Sequence, residues 1–168
     1  MAETHKSFKR RLWTLTNLKK NGFNKERLLK VYTTMIRPSP EYLSTVYHSM
    51  ITKADSDELE RIQCQALKAI YGWRLSYRRL LEISGLERLD FCREQAFLAF
   101  AKKLSNSHDF KHWFPRRVYR HHQPRPGQEL FKVYGGTSER YLKSPLNAMR
   151  RALNNEIAAL ASLAPIVN

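Results

Sequence analysis

The sequence predicts a mainly α fold: a bundle of about five to six helices, an irregular basic loop segment, and a closing C-terminal helix. Three observations carry this. Apolar residues recur at spacings of three and four through most of the chain. Glycine and small polar capping residues punctuate those stretches where helices should stop and start. One region, residues 105–145, instead gathers Pro115, Pro124, Pro126, Gly127, Gly135, Gly136 and Pro145 without sustained period.

The first helix is predicted over 5–20, with Phe8, Leu12, Leu15 and Leu18 on one stripe and Lys9, Arg10, Arg11, Lys19 and Lys20 outside it. Gly22 is placed to stop it and Asn24 to cap the next, which continues from Arg27 to Arg37. Pro38 and Pro40 are expected to force a non-helical break. A third helix should point Leu43, Tyr47, Met50 and Ile51 inward. The fourth, opening at Asp55 or Ser56, carries the clearest stripe: Leu59, Ile62, Ala66, Ala69 and Ile70, ended by Gly72. Ser76 caps a short helix, Tyr77 to Ile83, that Gly85 stops. Residues 87–104 form another, with Leu89, Ala96, Phe97, Phe100 and Leu104 inward. A short strand is expected at Leu130 to Tyr134, and a last helix from Leu146 to about Leu163. The domain reading is 1–108 as a helical bundle, 109–145 as an irregular basic and aromatic segment, and 146–168 as the C-terminal helix and tail.

Charge is the outlying bulk property. Thirty Lys and Arg stand against fifteen Asp and Glu, giving +15 and a pI near 10.1. The excess is uneven: residues 1–40 carry +8, residues 41–108 only +1, and residues 109–154 carry +7. A near-neutral centre between two basic flanks fits a packed core with cationic edges that attract polyanions. An apolar fraction of 42% argues against wholesale disorder. Cys64 and Cys92 sit in apolar helical patterns and make no disulfide framework, which points to a reducing, intracellular compartment. No signal peptide or membrane-spanning run is read.

Catalytic patterns are scarce. GxGxxG, GxxxxGK[ST], GxSxG and HExxH do not occur. Asp55, Asp57, Glu58 and Glu60 form the one acidic cluster, but they open a helix, where the dipole favours acids. No metal or cofactor is implied. The basic sets read differently. Lys9, Arg10, Arg11, Lys19 and Lys20 offer phosphate contacts. Arg61, Gln65 and Lys68 make a polar helix face able to lie along a duplex groove. The run 111–122 mixes Arg116, Arg117 and Arg120 with Trp113 and Tyr119, which suits phosphate contact plus stacking on unpaired bases. The plain alternative is that Trp113, Phe114 and Tyr119 plug the loop onto the core.

At residues 27–104 the order of short motifs resembles a known family. Arg27-Leu28-Leu29-Lys30-Val31-Tyr32, Met35-Ile36-Arg37-Pro38, Glu41 to His48, Leu59 to Gln63, Ala66 to Gly72, Ser76-Tyr77, Leu80-Leu81, Gly85-Leu86, Leu89 and Ala99 to Leu104 follow one another as in reverse transcriptases of non-LTR (LINE-type) retrotransposons, downstream of the palm. Lys9 to Trp13, Leu18 to Lys20 and Tyr141 to Leu146 are similar too. The resemblance implies the thumb and C-terminal extension of an RNA-directed DNA polymerase: a helical bundle gripping a template–primer duplex. The palm and its metal-binding aspartates would precede residue 1, which suggests a truncated element or a remnant kept for another use. Three positions depart from the family: Pro40 for a usual apolar residue, Tyr47 for a usual Trp, and Cys92 where a basic residue is common. Pro40 is expected to tilt the third helix.

The reading is therefore a nucleic-acid-binding, thumb-like fragment without catalysis of its own. Its expected partners are RNA, DNA or hybrid duplex, and a separate palm or ribonucleoprotein, in the nucleus sooner than the cytoplasm and without membrane contact. The alternative is an interaction or scaffold subunit derived from a retrotransposon remnant, suggested by the apolar end Ile157 to Val167.

Overall fold

A computed structural model describes residues 2–42, 44–118, 128–136 and 138–163. The architecture is mainly helical, and no β-strand forms among the described residues. In chain order the helices are α1 (Ala2–Lys20), α2 (Lys25–Val31), α3 (Pro38–Glu41), α4 (Ser44–Tyr47), α5 (Lys53–Tyr71), α6 (Tyr77–Ser84), α7 (Leu89–Asn106), α8 (Glu139–Leu142) and α9 (Pro145–Leu163). The chain forms two compact units, Met1–Ser44 with Ile51–Glu94, and Thr45–Met50 with Gln95–Asn168.

In the first unit the periodic residues do what their spacing requires. Phe8 and Leu15 of α1, Leu28 of α2, and Leu59, Ile62, Ala66 and Ile70 of α5 are buried in one core with Tyr32, Ile36 and Leu89, and Leu12 and Leu18 pack against it. Gly22, at φ +81, ends α1 as expected: its N–H bonds to Lys19 O and that of Phe23 to Leu18 O, a pairing that needs a left-handed residue. The Asn24 side chain accepts from Arg27 N–H at 2.9 Å, and Ser76 Oγ caps α6. Gly85, at φ +65, closes α6.

Several expectations need correction. Pro38 and Pro40 do not break the helix. Residues Tyr32–Ile36 widen into a π-type turn, with Arg37 N–H bonding to Tyr32 O at 2.8 Å, and α3 follows directly. Pro38 stands at the first position of α3 and Pro40 within its first turn, where a missing N–H costs no intrahelical bond. The third helix is a single turn, Ser44–Tyr47. Thr45 and Val46 are β-branched and weak helix formers, Met50 is exposed, and among the described residues of the expected set only Ile51 packs on the first core. Leu43 lies outside the described residues. The fourth helix begins earlier than expected, since Thr52 is its cap: Thr52 Oγ1 accepts from Asp55 N–H at 3.1 Å and donates to Asp55 Oδ2 at 2.7 Å.

A polar network runs through this apolar core. Gln63, fully buried on α5, accepts from Tyr32 Oη at 2.9 Å and donates to Tyr77 Oη and Glu87 O, each at 3.0 Å. Tyr77 Oη donates to Glu60 Oε2 at 2.6 Å, and Asp90 N–H at the start of α7 donates to Glu60 Oε1 at 2.8 Å. Glu60 is thus a buried acceptor and not a surface acid answering the dipole of its own helix.

In the second unit Phe97 and Ala101 of α7, Phe114, and Met149 and Leu153 of α9 form the core, with Phe100, Leu104 and Phe131 against it. Ala96, expected inward, is exposed. The expected strand at Leu130 to Tyr134 reduces to one antiparallel bridge, Arg116 with Phe131. The reason is competition. Asn154 pairs with both N–H and C=O of Phe131 at 2.9 Å, and Asn147 bonds Tyr134 N–H and O, so α9 side chains take the backbone groups a ladder would use.

Burial raises the phenols of Tyr32 and Tyr77 above the ordinary range, and for Tyr77 the hydrogen bond to Glu60 raises it further. Unfolding releases both to titrate near about pH 10. The unfolded chain then holds fewer protons than the folded one, so stability is full below that pH and falls above it. Tyr77→Phe should cost about 1–3 kcal/mol at neutral pH, because it strips buried Glu60 of a donor. It should also flatten the alkaline decline in melting temperature. An unchanged decline in the variant would remove Tyr77 as its cause.

Candidate nucleic-acid interface

Between residues 10 and 30 the chain holds seven basic residues and one acid, Glu26. All seven are exposed: Arg10, Arg11, Lys19, Lys20, Lys25, Arg27 and Lys30. None of them forms an ion pair among the described residues. Their environments still differ. With Phe8, Leu12 and Leu15 turned to the core, the 3.6-residue period sends Arg10, Trp13, Asn17 and Lys20 to the opposite face of α1. That stripe spans roughly 15 Å of helix. Trp13, at its middle, is 71% exposed. In the sequence Trp13 stands out only within a family-like motif. The signal was available, since an aromatic on the polar side of an amphipathic helix has no core to serve.

Two cations of the expected set are committed to the fold. Lys19 Nζ donates to the carbonyls of Ala69 and Ile70, in the last turn of α5. A cation there answers the negative end of the helix dipole and fills orphan acceptors. Arg11 donates to Met35 O at 3.1 Å. The side chain of Lys9 lies outside the described residues.

The face on α5 is more constrained than its spacing suggested. Arg61 is exposed but bound to Glu58 through NH2 at 2.6 Å and Nε at 2.7 Å, while Gln65 and Lys68 are half-buried. Elsewhere carboxylates take several further cations: Arg78 and Arg79 on Glu82, Arg88 on Asp90, Arg37 on Glu41, Lys102 on Glu156. The bond to Arg88 holds the Asp90 carboxyl below its usual range. Arg37 also donates to Cys92 Sγ at 3.0 Å; burial pushes that thiol up, which suits a thiol acting as neutral packing.

In the 109–118 stretch, Phe114 belongs to the second core, which fits the plug reading for that ring. Trp113 is 41% exposed, tilted on Phe110 at 4.9 Å, and its carbonyl accepts from Arg150 Nε at 3.0 Å. Arg116 is exposed with no ion pair among the described residues, whereas Arg117 pairs with Glu129 at 3.0 Å. Tyr119 and Arg120 lie outside the described residues. Arg150, which no sequence motif marks, is buried across the Tyr134 ring, 4.8 Å from its centre, and burial lowers its pKa.

Among the described residues no group of three or more His, Cys, Asp or Glu is placed to hold a metal ion, and no helix is long and apolar enough to cross a membrane. No family model, curated protein or solved structure matches the chain.

Lys19 and Lys20 are adjacent in sequence but differ in role. Lys19→Met should lower stability by about 0.3–1 kcal/mol, the usual worth of a cation at a helix C-terminus, with little effect on polyanion binding. Lys20→Met should do the reverse. Urea midpoints for both variants check this, and equal midpoints would show that Lys19 caps nothing of consequence.

Proposed function

We propose that this chain is a non-catalytic nucleic-acid-binding fragment, thumb-like in the sense of the polymerase family it resembles, that grips the phosphate backbone of a template–primer duplex. One observation carries the reading. Arg10, Lys20, Lys25, Arg27 and Lys30 are exposed with no ion pair among the described residues, while five of the ten cations of residues 41–108 are tied to carboxylates. Leaving like charges unneutralised on one segment costs stability through self-repulsion, and a polyanion removes that cost on binding. The mechanism is counterion release: each Lys or Arg seated on a phosphate frees a condensed ion. Arg10 and Lys20 on the outer face of α1, with Lys25, Arg27 and Lys30 following, supply the contacts. Trp13 adds a flat apolar surface where an unpaired base at the duplex end can stack. Contacts to phosphate position a duplex without reading its sequence, so the grip is sequence-tolerant.

Fluorescence anisotropy against an RNA–DNA hybrid tests this. Log affinity should fall linearly with log salt, and Arg10→Ala with Lys20→Ala should each reduce the slope by about 0.9. Trp13→Ala should weaken a hybrid with a single-stranded overhang by about 1–3 kcal/mol while leaving a blunt hybrid nearly unchanged. Binding that ignores salt, or no binding to hybrid, RNA or DNA, would overturn the proposal.

A further inference from the structure

The second unit holds a cleft of about 370 Å³ beyond the end of α7. Its lining divides chemically. Lys111 and Arg116 supply an ammonium and a guanidinium, both exposed and neither in an ion pair among the described residues. Ser105 and Asn106 add a hydroxyl and an amide, and among the described residues no carboxylate lines the cleft. Phe114 and Phe131 supply apolar wall, their rings edge to face with centroids 6.0 Å apart.

The pieces are held before any ligand arrives. Arg117 N–H bonds to Leu130 O and Lys132 N–H to Pro115 O, each at 2.9 Å, which fixes the backbone around Arg116 alongside Phe131. Asn154 grips Phe131 at both backbone groups. Lys111 N–H bonds to Ser107 O at 2.9 Å, so the turn carrying Lys111 is anchored to the end of α7. A site already ordered in this way spends little binding energy on ordering itself.

Two unpaired cations without a facing carboxylate select an anion, and a guanidinium fork beside an ammonium matches the oxygens of a phosphate. The aromatic wall selects against a bare inorganic ion, because it rewards a ligand with an apolar, planar part. The volume is near the low end of the roughly 300–1,000 Å³ typical of ligand pockets, enough for one nucleotide and too small for a run of them. We propose that this cleft takes a single nucleotide unit, its phosphate on Lys111 and Arg116 and its sugar or base against Phe131. Naming the phosphate as a nucleotide's rests on the polynucleotide reading above, although the cleft shares no residue with the α1 face.

Isothermal titration of the full chain with adenosine 5′-monophosphate, with inorganic phosphate and with adenosine tests the proposal. The monophosphate should bind saturably and at least about tenfold more tightly than either fragment. The double variant Lys111→Gln/Arg116→Gln should lose at least about tenfold for the monophosphate, with an unchanged melting temperature because both side chains are exposed. Arg116→Lys should retain part of the affinity. Equal affinity in wild type and the double variant overturns the proposal, as does inorganic phosphate binding as tightly as the monophosphate. The variant Arg10→Ala/Lys20→Ala separates the two readings. It should weaken a hybrid duplex and leave the monophosphate untouched. Monophosphate binding without any hybrid binding would keep the cleft and discard the grip; hybrid binding without monophosphate binding would do the opposite.

Discussion

The apolar seam between α1 and α5 is the constraint on which the rest of the first unit depends. Phe8 and Leu15 on one helix meet Leu59, Ile62, Ala66 and Ile70 on the other in a single core. Each of the larger side chains there, taken fully out of water, stabilises the fold by about 1.5–3 kcal/mol. That seam also decides where charge goes. Once positions 8, 12 and 15 are turned inward, the helical period leaves Arg10, Trp13, Asn17 and Lys20 no place but the opposite face. The cationic stripe is therefore a consequence of the core, and its register on α1 is as fixed as the core is.

The seam needs a second device to set the later helices. Gln63 sits at the polar centre of α5 and uses its acceptor on Tyr32 and its donors on Tyr77 and Glu87 O. Glu60, one turn earlier, joins Tyr77 to the first turn of α7. An apolar interface alone would let α6 and α7 slide, since hydrophobic burial is non-directional. A buried amide with its partners in place penalises any other arrangement, because each misplaced neighbour strands a polar group away from water. Arg93 shows that the penalty is tolerated at one point: it is almost fully buried, bonds Ser56 Oγ at 2.6 Å, and has Nε and NH1 without hydrogen-bond partners among the described residues.

Where local chemistry decided the outcome, the sequence was readable. The stripe of α1, the stop at Gly22, the caps at Asn24 and Ser76 and the start of α9 all follow from residue types at fixed offsets. Reading failed where a remote partner intervened. Pro38 and Pro40 look like breakers, but directly after the π turn they fall in the first turn of α3, where no intrahelical N–H bond is required. Leu130 to Tyr134 is open to a short strand, but Asn147 and Asn154 claim its backbone. Glu60 reads as a surface acid because nothing in its neighbourhood announces Tyr77. The same limit applies to the interface. Composition gave the basic segments, while the sorting into committed cations such as Lys19 and unpaired ones such as Lys20 depends on which carbonyls and carboxylates lie within reach.

That sorting explains how an irregular, proline-rich segment can carry an ordered cleft. Asn147, Arg150 and Asn154 lie at spacings of three and four, on one face of α9, and between them hold Tyr134, Tyr141, Trp113 and Phe131 by their backbones. With its main chain satisfied by α9, the segment has no need of its own ladder, and the side chains of Lys111 and Arg116 are released from structural work. A polar face on a buried helix is costly unless every group finds a partner. Here the partners are the backbone of the segment that presents the cations. Order in the loop and freedom of its charges thus come from the same three side chains.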